Sequence, residues 1–166
     1  MQLPAAGIGG GVDRTISFSN LHTNGPLTVT YVKNGRHVSS AMKKINNILR
    51  DWRRDEAIRM DPDLIDLVYD VHRELGSEKP ITIISGYRSP VTNAKLRSRS
   101  SGVAQKSQHM HGKAMDLYFP DVPLKRIREV ALKFQSGGVG YYPTSGPPLL
   151  PSDPAPLRRR PRISAP

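Results

Sequence analysis

The chain has 166 residues, 37% of them hydrophobic, with 25 Lys and Arg against 14 Asp and Glu for a formal net charge of +11. That length suits a single domain with a real core, and the hydrophobic content argues against a disordered chain. The lack of cysteine excludes disulfides and thiolate metal sites, and no apolar run is long enough to span a membrane.

In chain order, residues 1–13 read as a flexible N-terminus. Its first eleven residues are small and Gly-rich, with no basic and apolar regions of the kind a signal peptide carries. Residues 15–20 and 27–32 alternate as strands around the turn-forming Thr23-Asn24-Gly25-Pro26, which predicts a hairpin. Ser39 or Ser40 is placed to cap a helix whose apolar face is Met42, Ile45, Ile48, Leu49 and Trp52. Asp61-Pro62 opens a second helix with the stripe Leu64, Leu67, Val68, Val71 and Leu75, which Gly76 ends. His72 lies at the edge of that stripe, as a flanking histidine.

Ile81–Ser85 is a β-branched run predicted as a buried strand that delivers Arg88 to a loop. Residues 91–99 suit a short helix and 114–119 a strand, with Asp116 and Tyr118 on one face and Met115, Leu117 and Phe119 on the other. Pro123 opens a last helix with Leu124, Ile127, Val130, Ala131 and Phe134 inward, and 138–142 is a glycine-rich strand. Without a regular βαβ alternation the fold class is α+β.

The segment richest in chemistry is Ser107-Gln108-His109-Met110-His111-Gly112-Lys113-Ala114-Met115-Asp116. Imidazole and carboxylate are ligand types that a catalytic zinc accepts, in sites built from three protein ligands and a water. Gly112 permits the tight turn that lets the chain leave His109 and enter a strand presenting Asp116. By spacing alone the pair is also what an ordinary surface hydrogen bond produces.

Ser107-x-His109-x-x-Gly112-x-Ala114-x-Asp116 resembles the metal-binding motif of the zinc D,D-/L,D-peptidases that cut peptidoglycan. Ser85-Gly86-Tyr87-Arg88-Ser89-Pro90 resembles the same family's arginine-bearing segment. Ser19-Asn20-Leu21-His22-Thr23, Ser89-Pro90-x-Thr92-Asn93 and Gly137-Gly138-Val139-Gly140-Tyr141-Tyr142 fit the murein endopeptidase K type, so the resemblance covers roughly 15–146. It implies a hedgehog/D-Ala-D-Ala peptidase-like domain over 14–146, a small antiparallel sheet packed by helices, with zinc on the open face. His109 and Asp116 would ligate Zn2+, and Arg88 would meet the oxyanion or a substrate carboxylate. Ser107 and His111 would stand in the second shell or touch substrate. Peptide crosslinks of peptidoglycan are the implied partner, the periplasm or cell envelope the implied location, and a monomer the implied state.

The family's third ligand, a histidine shortly after the Gly-Tyr-Tyr strand, has no counterpart: no histidine follows His111. Instead residues 147–166 hold seven prolines and four arginines. They are predicted as a disordered or polyproline tail, read as a shifted-frame replacement of the domain's end. A two-ligand site predicts weak zinc binding and poor turnover, and the alternative reading is a non-catalytic cell-wall-binding remnant. A nucleic-acid binder is the third reading. The acid-free cluster Arg88, Lys95, Arg97, Arg99, Lys106 and Lys113 argues against it, since no aromatic residue is interleaved to stack on bases.

Overall fold

A computed structural model describes residues 11–23, 25–134, 139–141 and 162–165, the last two segments as backbone. The elements are β1 (Arg14–Asn20), β2 (Leu27–Lys33), β3 (Arg36–His37), α1 (Ser39–Ile48), α2 (Pro62–Leu75), β4 (Ile81–Ser85), α3 (Pro90–Arg97), a 3-10 turn (Gln108–His111), β5 (Ala114–Tyr118), α4 (Leu124–Lys133), β6 (Val139–Tyr141) and β7 (Arg162–Ala165). They form one seven-stranded sheet in the order β3-β2-β1-β4-β5-β7-β6.

The α+β class holds, but the sheet is mixed rather than antiparallel throughout. β1 and β2 form the predicted antiparallel hairpin and β4 pairs antiparallel with β5. β1 runs parallel to β4, and β7 runs parallel to both β5 and β6. The reason lies in the connection: α1 and α2 carry the chain across, so β4 re-enters the sheet in the direction of β1.

Local signals set the helices. Asp61 caps α2 by accepting from Asp63 N at 3.0 Å, Pro62 opens it, and Gly76 closes it with φ of 65°. Ser89 caps α3 by accepting from Thr92 N. α1 departs from expectation: neither Ser39 nor Ser40 caps it, and Val38 occupies the cap position without a side-chain bond. Trp52 also departs, lying beyond the end of α1 and 39% exposed instead of in the apolar face.

The main core joins Phe18, Ile45, Leu49, Leu64, Val68, Ile81, Ile83, Met115 and Leu117, with Ile127 and Val130 from α4. β4 and β5 are buried on both faces, so Asp116 is enclosed although it points away from Met115 and Leu117. His72 packs its ring on Phe119, as a flanking residue should.

Residues 1–10 of the expected flexible N-terminus, and most of the expected tail, lie outside the described residues. Within the tail, Arg162–Ala165 is a strand rather than disordered chain. It follows the last interior proline, Pro161, so its own N–H groups are available to a ladder.

Candidate active site

The loop that leaves β4 is clamped between two parts of the chain. Gly86 lies against the backbone of Leu49, so close that a Cβ would collide with the Leu49 carbonyl oxygen. The next amide, Tyr87 N, donates to that carbonyl at 2.7 Å, and Arg88 N donates to His109 O at 3.2 Å. The arginine loop and the histidine turn are thus joined directly through backbone.

The histidine turn is built locally. Ser107 is buried and its Oγ accepts from His109 N at 3.3 Å, capping the 3-10 turn. Gly112 ends the turn with φ of 65°, its Cα so near Arg59 O and Met60 Cα that a side chain would meet them at 3.0 and 3.1 Å. Its carbonyl accepts from Asp61 N at 2.9 Å, which ties the turn to the start of α2. β5 begins two residues later and presents Asp116 opposite Ser85.

His109 and Asp116 converge. The imidazole Nδ1 contacts the Gly86 carbonyl at 2.8 Å, so Nδ1 carries the proton and Nε2 is left as the basic nitrogen. Nε2 lies 3.5 Å from Asp116 Oδ1, and both residues are about 5% exposed or less. Among the described residues neither carboxylate oxygen of Asp116 has a hydrogen-bond partner. A buried carboxylate in that state carries a large desolvation cost unless a cation answers it.

This donor pair fits a divalent cation in kind. The carbonyl bond to the far imidazole nitrogen is the orienting contact that metal-bound histidines use. In number it falls short, because among the described residues no third His, Cys, Asp or Glu joins the pair.

Arg88 is 3% exposed, and its Nη1 donates to Asn93 Oδ1 at 3.4 Å. Asn93 in turn donates to Ala104 O at 3.0 Å, linking the arginine to the loop after α3. His111 is exposed and stands apart from the convergent pair.

Two contributors escaped the sequence reading. Asp51, 1% exposed, accepts from Ser89 N at 2.9 Å and from Arg53 N at 3.1 Å. Burial pushes its carboxyl up, but bonds from the Thr92 hydroxyl and from Ser89 outweigh this and hold it below its ordinary value. Nothing local in the sequence links Asp51 to Ser89. The second is a ring stack of His22 on Trp52, centroids 4.4 Å apart, with the Arg53 guanidinium 4.3 Å from the indole. Burial, then the Arg53 charge, lowers the pKa of His22.

The family described as peptidoglycan L,D-endopeptidase MepK matches residues 10–160. The chain belongs to that family. The chain is 41% identical over 132 residues to the peptidoglycan L,D-endopeptidase MepK of Escherichia coli strain K12, covering 80% of this chain and 72% of that protein. The protein of the same name from Shigella flexneri matches equally. The probable peptidoglycan L,D-endopeptidase MepK of Haemophilus influenzae is 36% identical over 146 residues, covering 87% of this chain and 77% of that one. No solved structure matches the chain significantly. The family match runs to residue 160, past the start of the proline-rich stretch at Pro147.

Proposed function

We propose that this chain acts on the peptide crosslinks of peptidoglycan in the cell envelope, as an L,D-endopeptidase with zinc held by His109 and Asp116. The observation that carries the reading is the Asp116 carboxylate, buried without a hydrogen-bond partner beside the free nitrogen of an oriented histidine. Membership of the endopeptidase family supports the substrate class. Zinc bound there would supply Lewis acidity toward the scissile carbonyl and a water of pKa about 7.

The chain's own residues do the rest. Gly86 O and the Ser107 cap hold the imidazole in one tautomer and one orientation. Asp116 supplies the compensating negative charge from the rigid centre of the sheet. Arg88, fixed by Asn93 and by its backbone bond to His109, presents a planar donor fork suited to a substrate carboxylate or a developing oxyanion. Ser107 is a support of the ligand turn in this reading, and His111 an exposed residue outside the ligand pair.

With two donors the affinity for zinc is weaker than at a three-ligand site, and turnover is correspondingly poor. That no third donor joins the pair among the described residues favours one other reading, a wall-binding protein that has lost the chemistry. Elemental analysis after zinc loading, together with incubation on L,D-crosslinked muropeptide dimers, tests both. Zinc retained by the wild type and lost in His109→Ala, with slow appearance of monomers, supports the endopeptidase. Fragment binding without zinc and without cleavage would replace it by the binding protein.

A further inference from the structure

A groove of about 400 Å3 lies between the β1–β2 turn and α1, lined by Lys43, Lys44 and Arg50 together with Thr23, Leu27 and Asn47. Among the described residues no carboxylate lines it. Lys43 and Lys44 are exposed and enter no ion pair among the described residues, and Arg50 is paired only with Asp55, which lies out in solvent. The groove is therefore concave and cationic, with Lys43 and Lys44 uncompensated among the described residues and an apolar wall in Leu27 and Ile48.

It also adjoins the site. The Ile48 carbonyl, in the groove, accepts from Asn20 Nδ2 at 2.7 Å, and the next residue, Leu49, is the one that clamps Gly86. Gly86 O holds His109. Backbone contacts through Leu49 and Gly86 thus connect the groove wall to the histidine. β1 and β4 run parallel, so the β1–β2 turn that walls the groove and the loop that carries Arg88 out of β4 lie at the same end of the sheet.

We propose that this groove is a binding subsite for a carboxylate-bearing peptide stem flanking the crosslink, held by Lys43 and Lys44. The inference rests on the endopeptidase reading and adds to it the part of the polymer engaged away from the cut. Free carboxylates are what the groove selects, and the ammonium groups would contact them as point charges at the surface.

The test measures binding of a soluble, uncrosslinked disaccharide tetrapeptide by calorimetry, with cleavage of an L,D-crosslinked dimer followed separately. Three proteins are compared: wild type, Lys43→Gln/Lys44→Gln, and a charge-matched control on α4, Lys125→Gln/Arg126→Gln, whose positions are exposed. The groove variant should bind about tenfold more weakly and the control within about twofold of wild type. The same fragment with its carboxylates amidated should bind wild type as weakly as the native fragment binds the groove variant. Equal weakening of both variants, no weakening of either, or equally tight binding of poly-L-glutamate would overturn the subsite, as would failure of the wild type to bind the fragment. Loss of dimer cleavage with fragment binding intact would remove only the endopeptidase reading.

Discussion

Asp116 is a cost to the protein until a cation reaches it. Both its oxygens are out of water and without hydrogen bonds among the described residues. In chelator at pH 7, Asp116→Asn should therefore melt higher than wild type, by a difference on the order of 1–3 kcal/mol. Added zinc should raise the melting temperature of wild type and leave Asp116→Asn unmoved. A metal-free wild type that outlasts the variant would mean that the carboxylate already has a partner. Asp51 shows the opposite behaviour, because its bonds favour the ionised form. With its pKa held below the unfolded value, it contributes stability above about pH 4, and that contribution is lost as pH falls through the folded value. Asp51→Asn should cost about 1–3 kcal/mol at pH 7, with the gap narrowing as pH falls below the unfolded carboxylate value of about 4 in denaturant titrations. A gap unchanged by pH would show that the carboxylate's charge is irrelevant. These two aspartates also mark what was legible in the sequence. The His109–Asp116 pair could be read because one local turn, ended by Gly112, brings the residues together. Asp51 meets Ser89 only through the folded clamp of Leu49 on Gly86, and no spacing announces that.

Among the elements, α2 was legible from end to end, since its cap, first-turn proline, stripe and closing glycine are all near-neighbour signals. Leu64, fully buried in that stripe, should cost about 2–5 kcal/mol when changed to alanine. Leu132 on α4, 45% exposed, should stay within about 0.5 kcal/mol under the same change. Chemical denaturation of the two variants checks the contrast, and similar losses would refute the assignment of the inner face. The histidine turn offers a second check. Gly112→Ala places a Cβ at positive φ against Arg59 O, and should cost about 1–3 kcal/mol while displacing His109. Its effect on zinc retention should exceed that of Lys113→Ala, a neighbour at 41% side-chain exposure whose pairing with Asp61 spans 3.9 Å. Strand direction and the membership of β7 were not legible, because both depend on partners distant in the chain. Proline content argues against a ladder at the prolines from Pro147, but it is silent about Arg162–Ala165, which form a strand.

At the scale of the whole molecule, the charge of +11 favours anionic polymer generally, so retention on purified peptidoglycan should fall steeply as salt rises from about 50 to 300 mM. Retention indifferent to salt would point to apolar contacts instead. The mixed sheet has a different consequence, for the order of assembly. Phe18 pairs with Ile81 across the whole of α1 and α2, so that junction closes a long loop before any ladder bond rewards it. Arg88, His109 and Asp116 belong to a single later stretch whose strands pair antiparallel over a much shorter connection. The half that carries Arg88, His109 and Asp116 should therefore mature while the N-terminal hairpin is still undocked. Two amides report the sequence of events: Arg88 N, bonded to His109 O, and Leu21 N, bonded to Ile83 O. In pulse-labelled hydrogen exchange during refolding, Arg88 should gain protection first. If Leu21 leads, the hairpin docks early and serves as the template on which the later strands are laid down.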